Sequence, residues 1–224
     1  MGIYVIFIVI ALVSYLVQSS LKNKFERYSQ MPIAMTGKEV AEKMLHDNGI
    51  YDVRVISTPG MLTDHFNPTD KTVNLSEGVY SSNSLAAAAV AAHECGHAVQ
   101  HATKYGALQL RSSLVPIVSF ASQWISWVLL AGILLIEVMP QIMLAGIILF
   151  AMTTLFSIVT LPVEINASHR ALVWLDRSGI ATGRNNECAK DALKSAAYTY
   201  VVAALGSLAT LMYYVMIFMG RRRD

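Results

Sequence analysis

A chain of 224 residues that is 54% hydrophobic and only 14% charged is too apolar for an ordinary soluble domain. Its long apolar runs mark a membrane protein with a modest polar portion. The formal net charge of +2 gives no reason to invoke nucleic acid, so the basic residues are read as topology signals.

The first segment, Gly2 to Val17, is apolar apart from Ser14 and two tyrosines, with no Lys or Arg ahead of it and no Ala-x-Ala site after it. A retained transmembrane helix over 1–19 is expected rather than a cleaved signal peptide. Lys22, Lys24 and Arg27 mark its far end as cytoplasmic and leave the N-terminus outside.

Residues 20–112 have the composition of a small globular unit, expected to be the catalytic portion. Thr36-Gly-Lys-Glu39 reads as a helix start with a capping box. Val40, Ala41, Met44 and Leu45 follow at helical spacing, and Asn48-Gly49 ends the helix. Tyr51 to Ile56 alternates as a strand, Thr58-Pro59-Gly60 is a turn, and Asp64-His-Phe-Asn-Pro68 leads through another turn. Lys71 to Ser76 reads as a second strand, and its place suggests a sheet edge to which an extended peptide could add.

An Ala-rich helix over 84–103 comes next, with Ser81, Ser82, Asn83 and Ser84 as alternative caps. On it His93 and His97 stand at i and i+4, one above the other on the same face. Two imidazoles so placed can share one Zn²⁺. Glu94 is turned about 100° from His93, beside the metal, where it can serve as general base toward a water on it. Cys95 and Cys188 are the only cysteines, so a disulfide framework is not expected, and neither is a choice for ligand or nucleophile.

After this helix the chain is membranous again. Two apolar runs within 113–163, joined by Glu137-Val-Met-Pro-Gln141, make a helical hairpin. Trp124 and Trp127 are read as packing residues. A second polar stretch, 164–198, holds Arg170, Arg177, Arg184, Lys190 and Lys194, and the last span is 199–220. Four spans put both polar stretches on one side, which their basic residues make cytoplasmic, whereas Arg221-Arg222-Arg223 argues the other way. The fold class expected is therefore mainly α, with about four transmembrane helices and a small α+β zincin-like portion at the membrane surface.

Zinc needs a third protein ligand. The candidates are His101, His169 and Glu164. His101 continues the straight i, i+4, i+8 row, which converges poorly on one ion, so a place on the helix surface or behind the ligands suits it better. The extended HExxHxxGxxH pattern is absent, because its last position is Thr103. Glu164 fits better, since it follows the third apolar run at the membrane edge, where an acidic residue needs a partner. Ser168, one turn on, can orient a liganding histidine, and His169 and Arg170 can stabilise an oxyanion.

Asp64-His-Phe-Asn-Pro68, Val73-Asn-Leu-Ser-Glu-Gly-Val-Tyr80, Val90-Ala-Ala-His-Glu-Cys-Gly-His-Ala-Val-Gln100 and Leu161-Pro-Val-Glu-Ile-Asn-Ala-Ser168 together resemble the YugP-like neutral zinc metallopeptidases of bacterial membranes. These are broadly similar to the HtpX and CAAX prenyl endopeptidases. The resemblance implies His93, His97 and Glu164 as ligands of one Zn²⁺ per chain and Glu94 as base. Those enzymes usually carry an aspartate four residues after the glutamate, where this chain has Ser168.

The expected function is a multi-pass plasma-membrane endopeptidase that hydrolyses membrane-associated or misfolded proteins near the cytoplasmic surface. Its partners are a protein or peptide substrate and membrane lipid, with no nucleic acid. The alternative is a non-catalytic scaffold with a structural zinc, for which Glu94→Gln would be silent. A transporter is disfavoured because the spans hold no interior Asp, Lys or Arg.

Overall fold

The computed structural model describes residues 2–220. Its elements are α1 (Gly2–Ser29), α2 (Gly37–Asp47), β1 (Arg54–Thr58), β2 (His65–Asn67), β3 (Thr72–Ser76), α3 (Glu77–Tyr80), α4 (Leu85–Ala102), α5 (Gly106–Leu134), α6 (Pro140–Arg177) and α7 (Gly183–Gly220). Four helical stretches, Val5–Ser29, Gly106–Leu134, Pro140–Arg177 and Gly183–Gly220, are long and apolar enough to cross a membrane. The protein is a mainly α membrane protein with a small α+β portion. The terminal arginine triplet lies outside the described residues.

The chain divides into two units, and the first comprises 1–15, 109–161 and 199–224. Within it α5 and α6 meet through small residues, because a Cβ on Gly132 would stand 2.7 Å from the Met143 Cα. Close backbone approach of this kind drives helix association where lipid removes the hydrophobic force between helices. Leu129, Met143 and Ile147 form the buried cluster there, and Thr154 shares a 2.8 Å hydrogen bond with Ser207 of α7.

The second unit, 16–108 with 162–198, carries the sheet and α4. In α2 the Thr36 hydroxyl accepts from the Glu39 amide at 3.3 Å, and the Thr36 amide donates back to the Glu39 carboxylate at 2.7 Å. That reciprocal pair satisfies two orphan donors of the first turn and starts the helix where the sequence places it. At the other end Gly49 takes φ +70°, a left-handed conformation open to glycine at no steric cost. Among the alternative caps of α4 it is Ser84 whose hydroxyl accepts, from the Ala87 amide.

The sheet has the order β1-β3-β2, with β1 parallel and β2 antiparallel to β3. β3 is thus the middle strand, buried at all five positions. This overturns its reading as a free edge: both of its hydrogen-bonding sides are already paired, so no peptide can add there. Arg54, which donates to the Lys71 carbonyl, opens β1 later in the chain than the alternation suggests, and Tyr51 stays exposed. Two short elements carry no periodic signal of their own, β2 and the single turn of α3.

α6 and α7 run on beyond the apolar segments. Hydropathy marks where apolar side chains stop, but nothing between Glu164 and Arg177 breaks a helix, so Glu164 sits inside α6 rather than beyond its end. The core of this unit brings Val40 and Met44 of α2, Val73 and Leu75 of β3, Leu85 and Cys95 of α4, and Leu175 of α6 into one cluster.

Candidate metal centre

α4 is buried on nearly every side, and only small side chains allow a helix to be enclosed so closely. α6 comes close at Gly96: a Cβ there would stand 2.6 Å from the Ala167 carbonyl oxygen. That approach puts Glu164, one turn before Ala167, opposite the two histidines.

The three side chains converge. Glu164 Oε2 lies 3.3 Å from His93 Nε2 and 3.6 Å from His97 Nε2, with the two rings edge to face at 4.8 Å. One ligand atom from each falls within 4.8 Å of the others. Donors bound at about 2.0–2.1 Å to a tetrahedral ion stand about 3.3 Å apart, close to both separations from Glu164, and two imidazoles with a carboxylate are a donor set that suits zinc. Two nitrogens and a carboxylate oxygen facing one point repel unless a cation or proton stands between them. His97 shows this demand. Burial opposes its charged form, yet the hydrogen bond to Glu164 and the charges of Glu94 and Glu164 outweigh that, raising its pKa above the ordinary 6.5.

Glu94 is nearly buried beside this group, and its carboxylate makes no hydrogen bond or ion pair among the described residues. Ser168 Oγ lies 3.1 Å from His93 Nδ1, so the face of α6 that presents Glu164 also holds the outer nitrogen of the first histidine. Cys95 points the other way, donating weakly to the Ala41 carbonyl at 3.5 Å. Burial and the Glu94 charge push its thiol well above the ordinary range, which leaves it inert. Both cysteines are free thiols.

The remaining sequence candidates stand apart from the converging group. His101 is exposed in the last turn of α4, its ring 5.8 Å from Phe66 of β2. His169 is exposed on α6. Arg170 donates through Nε to Asn166 at 2.8 Å and lies over the Tyr105 ring.

Gln100 and Asn166 escaped the sequence reading. Gln100 is fully buried, with Oε1 3.0 Å from His97 Nδ1, and its amide nitrogen donates to the Val163 carbonyl at 2.8 Å and to Asn166 Oδ1 at 3.0 Å. The signal that could have found Gln100 is its place three residues after His97, a large amide in a helix otherwise made of small and apolar residues. A buried amide needs partners, and the neighbouring histidine is within reach.

The family model described as "Putative neutral zinc metallopeptidase" matches residues 3–219. A curated relative, the "Putative membrane protease YugP" of Bacillus subtilis (strain 168), is 43% identical over 213 residues, covering 94% of each chain. No solved structure matches.

Proposed function

The chain belongs to the family of neutral zinc metallopeptidases, and from that premise we propose that it is a membrane-embedded zinc endopeptidase with His93, His97 and Glu164 as ligands and Glu94 as general base. One observation carries the reading: three donors converge within 4.8 Å of one another beside a carboxylate that makes no hydrogen bond or ion pair among the described residues. A bound zinc ion supplies Lewis acidity, polarising a carbonyl and lowering the pKa of water. Glu94 takes the proton of the attacking water and delivers it to the leaving amine. Because the carboxylate is not committed to another partner, it is free to move that proton. This also favours the enzyme over a scaffold with structural zinc, in which a carboxylate left free beside the ligands has no use.

Substrates are membrane-associated or misfolded proteins cut near the cytoplasmic face of the plasma membrane. The support is in the sequence: Glu164 directly follows an apolar run, and basic residues crowd both polar stretches. β1 and β2 are the two edges of the sheet, and β2, whose Phe66 ring meets His101 of α4, is the one we assign to an extended substrate.

The test compares purified full-length protein with Glu94→Gln in detergent, by metal analysis and by cleavage of unfolded casein with and without a chelator. Both are expected to hold about one zinc per chain, and only the unsubstituted protein should cleave. Equal cleavage by both would remove Glu94 from the chemistry.

A further inference from the structure

Hydrogen-bond polarity runs through the buried amide of Gln100 in one direction only. The Val163 carbonyl can only accept, so the amide nitrogen of Gln100 must face it, at 2.8 Å. Asn166 is fixed from its far side. The Nε–H of Arg170 can only donate, at 2.8 Å, so Asn166 turns its oxygen there, and the same oxygen accepts from Gln100 at 3.0 Å. The amide nitrogen is thus committed to two acceptors, and the Oε1 of Gln100 is what remains for His97 Nδ1, 3.0 Å away. An acceptor facing Nδ1 calls for a proton on Nδ1. A neutral imidazole protonated there carries its lone pair on Nε2, the atom turned toward Glu164.

We infer that Gln100 is a positioning residue that holds His97 as its Nδ1–H tautomer, with polarity imposed by the Val163 carbonyl and, through Asn166, by Arg170. The inference rests on the reading of His93, His97 and Glu164 as zinc ligands and deepens it. It also separates the two histidines. His93 Nδ1 faces the hydroxyl of Ser168, which can donate or accept and so imposes no tautomer. His97 is the ligand whose Nδ1–H is fixed before metal arrives, and Arg170 acts from behind the ligands.

The experiment uses the full-length protein in detergent, zinc itself as probe, and competition with a chromogenic chelator to read affinity beside thermal melting. Gln100→Met removes the polar groups at similar volume and is expected to weaken zinc binding about 10–100-fold, the usual effect of losing a partner behind a ligand. Gln100→Glu keeps an acceptor toward Nδ1–H and is expected to bind zinc more tightly than Gln100→Met. His97→Ala separates the two layers of the argument. Zinc affinity unchanged in His97→Ala defeats the ligand reading itself. Affinity lost in His97→Ala but unchanged in a folded Gln100→Met, or no recovery in Gln100→Glu, overturns the positioning role. Should Gln100→Met fail to fold, Gln100→Ala decides, since it removes the acceptor facing Nδ1 without adding bulk: weakened zinc binding supports the inference and wild-type affinity overturns it.

Discussion

The two units of the chain solve opposite burial problems. In the unit that carries α4, large apolar side chains such as Leu75 and Leu85 are wholly buried, and the outer nitrogens of His93 and His97 at the candidate metal centre are matched to partners. In the unit built around α5 and its neighbours the order is reversed: Trp127 is 69% exposed and Ile148 57%, while glycines and hydroxyls line the helix contacts. The same physics acts in both, and the solvent differs. Water drives apolar groups inward; lipid is indifferent to them and leaves close packing and hydrogen bonds to join helices. An ionisable cluster is therefore built where packing and hydrogen bonds hold it fixed.

Substitutions can break this contrast. The largest effect is expected from Glu94→Gln, a fall of about 10²–10⁴-fold in turnover with zinc retained, measured by metal content and peptide cleavage. Leu75→Ala should cost about 2–5 kcal/mol, because it opens a cavity in a packed interior, and melting in detergent reads the loss. Gly96→Val puts atoms where the Ala167 carbonyl stands, and an overpacking cost of about 1–3 kcal/mol should come with weaker zinc binding as Glu164 is pushed away.

Metal affinity should also follow pH. The fold holds a proton on His97 above its ordinary pKa of 6.5, so the stability this adds to the metal-free protein is present below that value and fades as pH rises through the raised one. Zinc must displace that proton. Its apparent affinity should therefore climb by up to roughly tenfold per pH unit up to the raised pKa and level off above it, as chelator competition would show. The smallest effect is expected from Trp127→Ala. It removes more atoms than Leu75→Ala, yet the indole already faces outward, so stability should change by no more than about 0.5 kcal/mol. A cost equal to that of Leu75→Ala would end the contrast between the two units.

Much of this was legible in the sequence because it rests on short-range rules. The Thr36–Glu39 box, the Asn48-Gly49 stop and the i, i+4 histidines are set by residues within a turn of one another, and each of the four spans by one continuous apolar run. Glu164 could be singled out because a charge at the end of an apolar run demands a partner, and the resemblance to a peptidase family supplied which one. What failed depended on long-range pairing. β3 looks like an edge in one dimension, since only the folded chain brings β1 and the three residues of β2 to its two sides. Gln100 and Asn166 lie within the blocks that carry the family resemblance, yet those blocks assign them no role, and their meaning appears only once α6 lies against α4. Arg170, expected as an oxyanion stabiliser from its charge and position, also turns its Nε–H to Asn166, a contact that no local pattern announces.

The most direct test of the metal centre is X-ray absorption at the zinc edge of the full-length protein in detergent. The expected spectrum has about four nitrogen or oxygen scatterers at about 2.0–2.1 Å, includes imidazole shells, and changes in Glu164→Gln. A sulfur shell at about 2.3 Å, or a spectrum untouched by Glu164→Gln, would contradict the assignment of His93, His97 and Glu164 as the ligands.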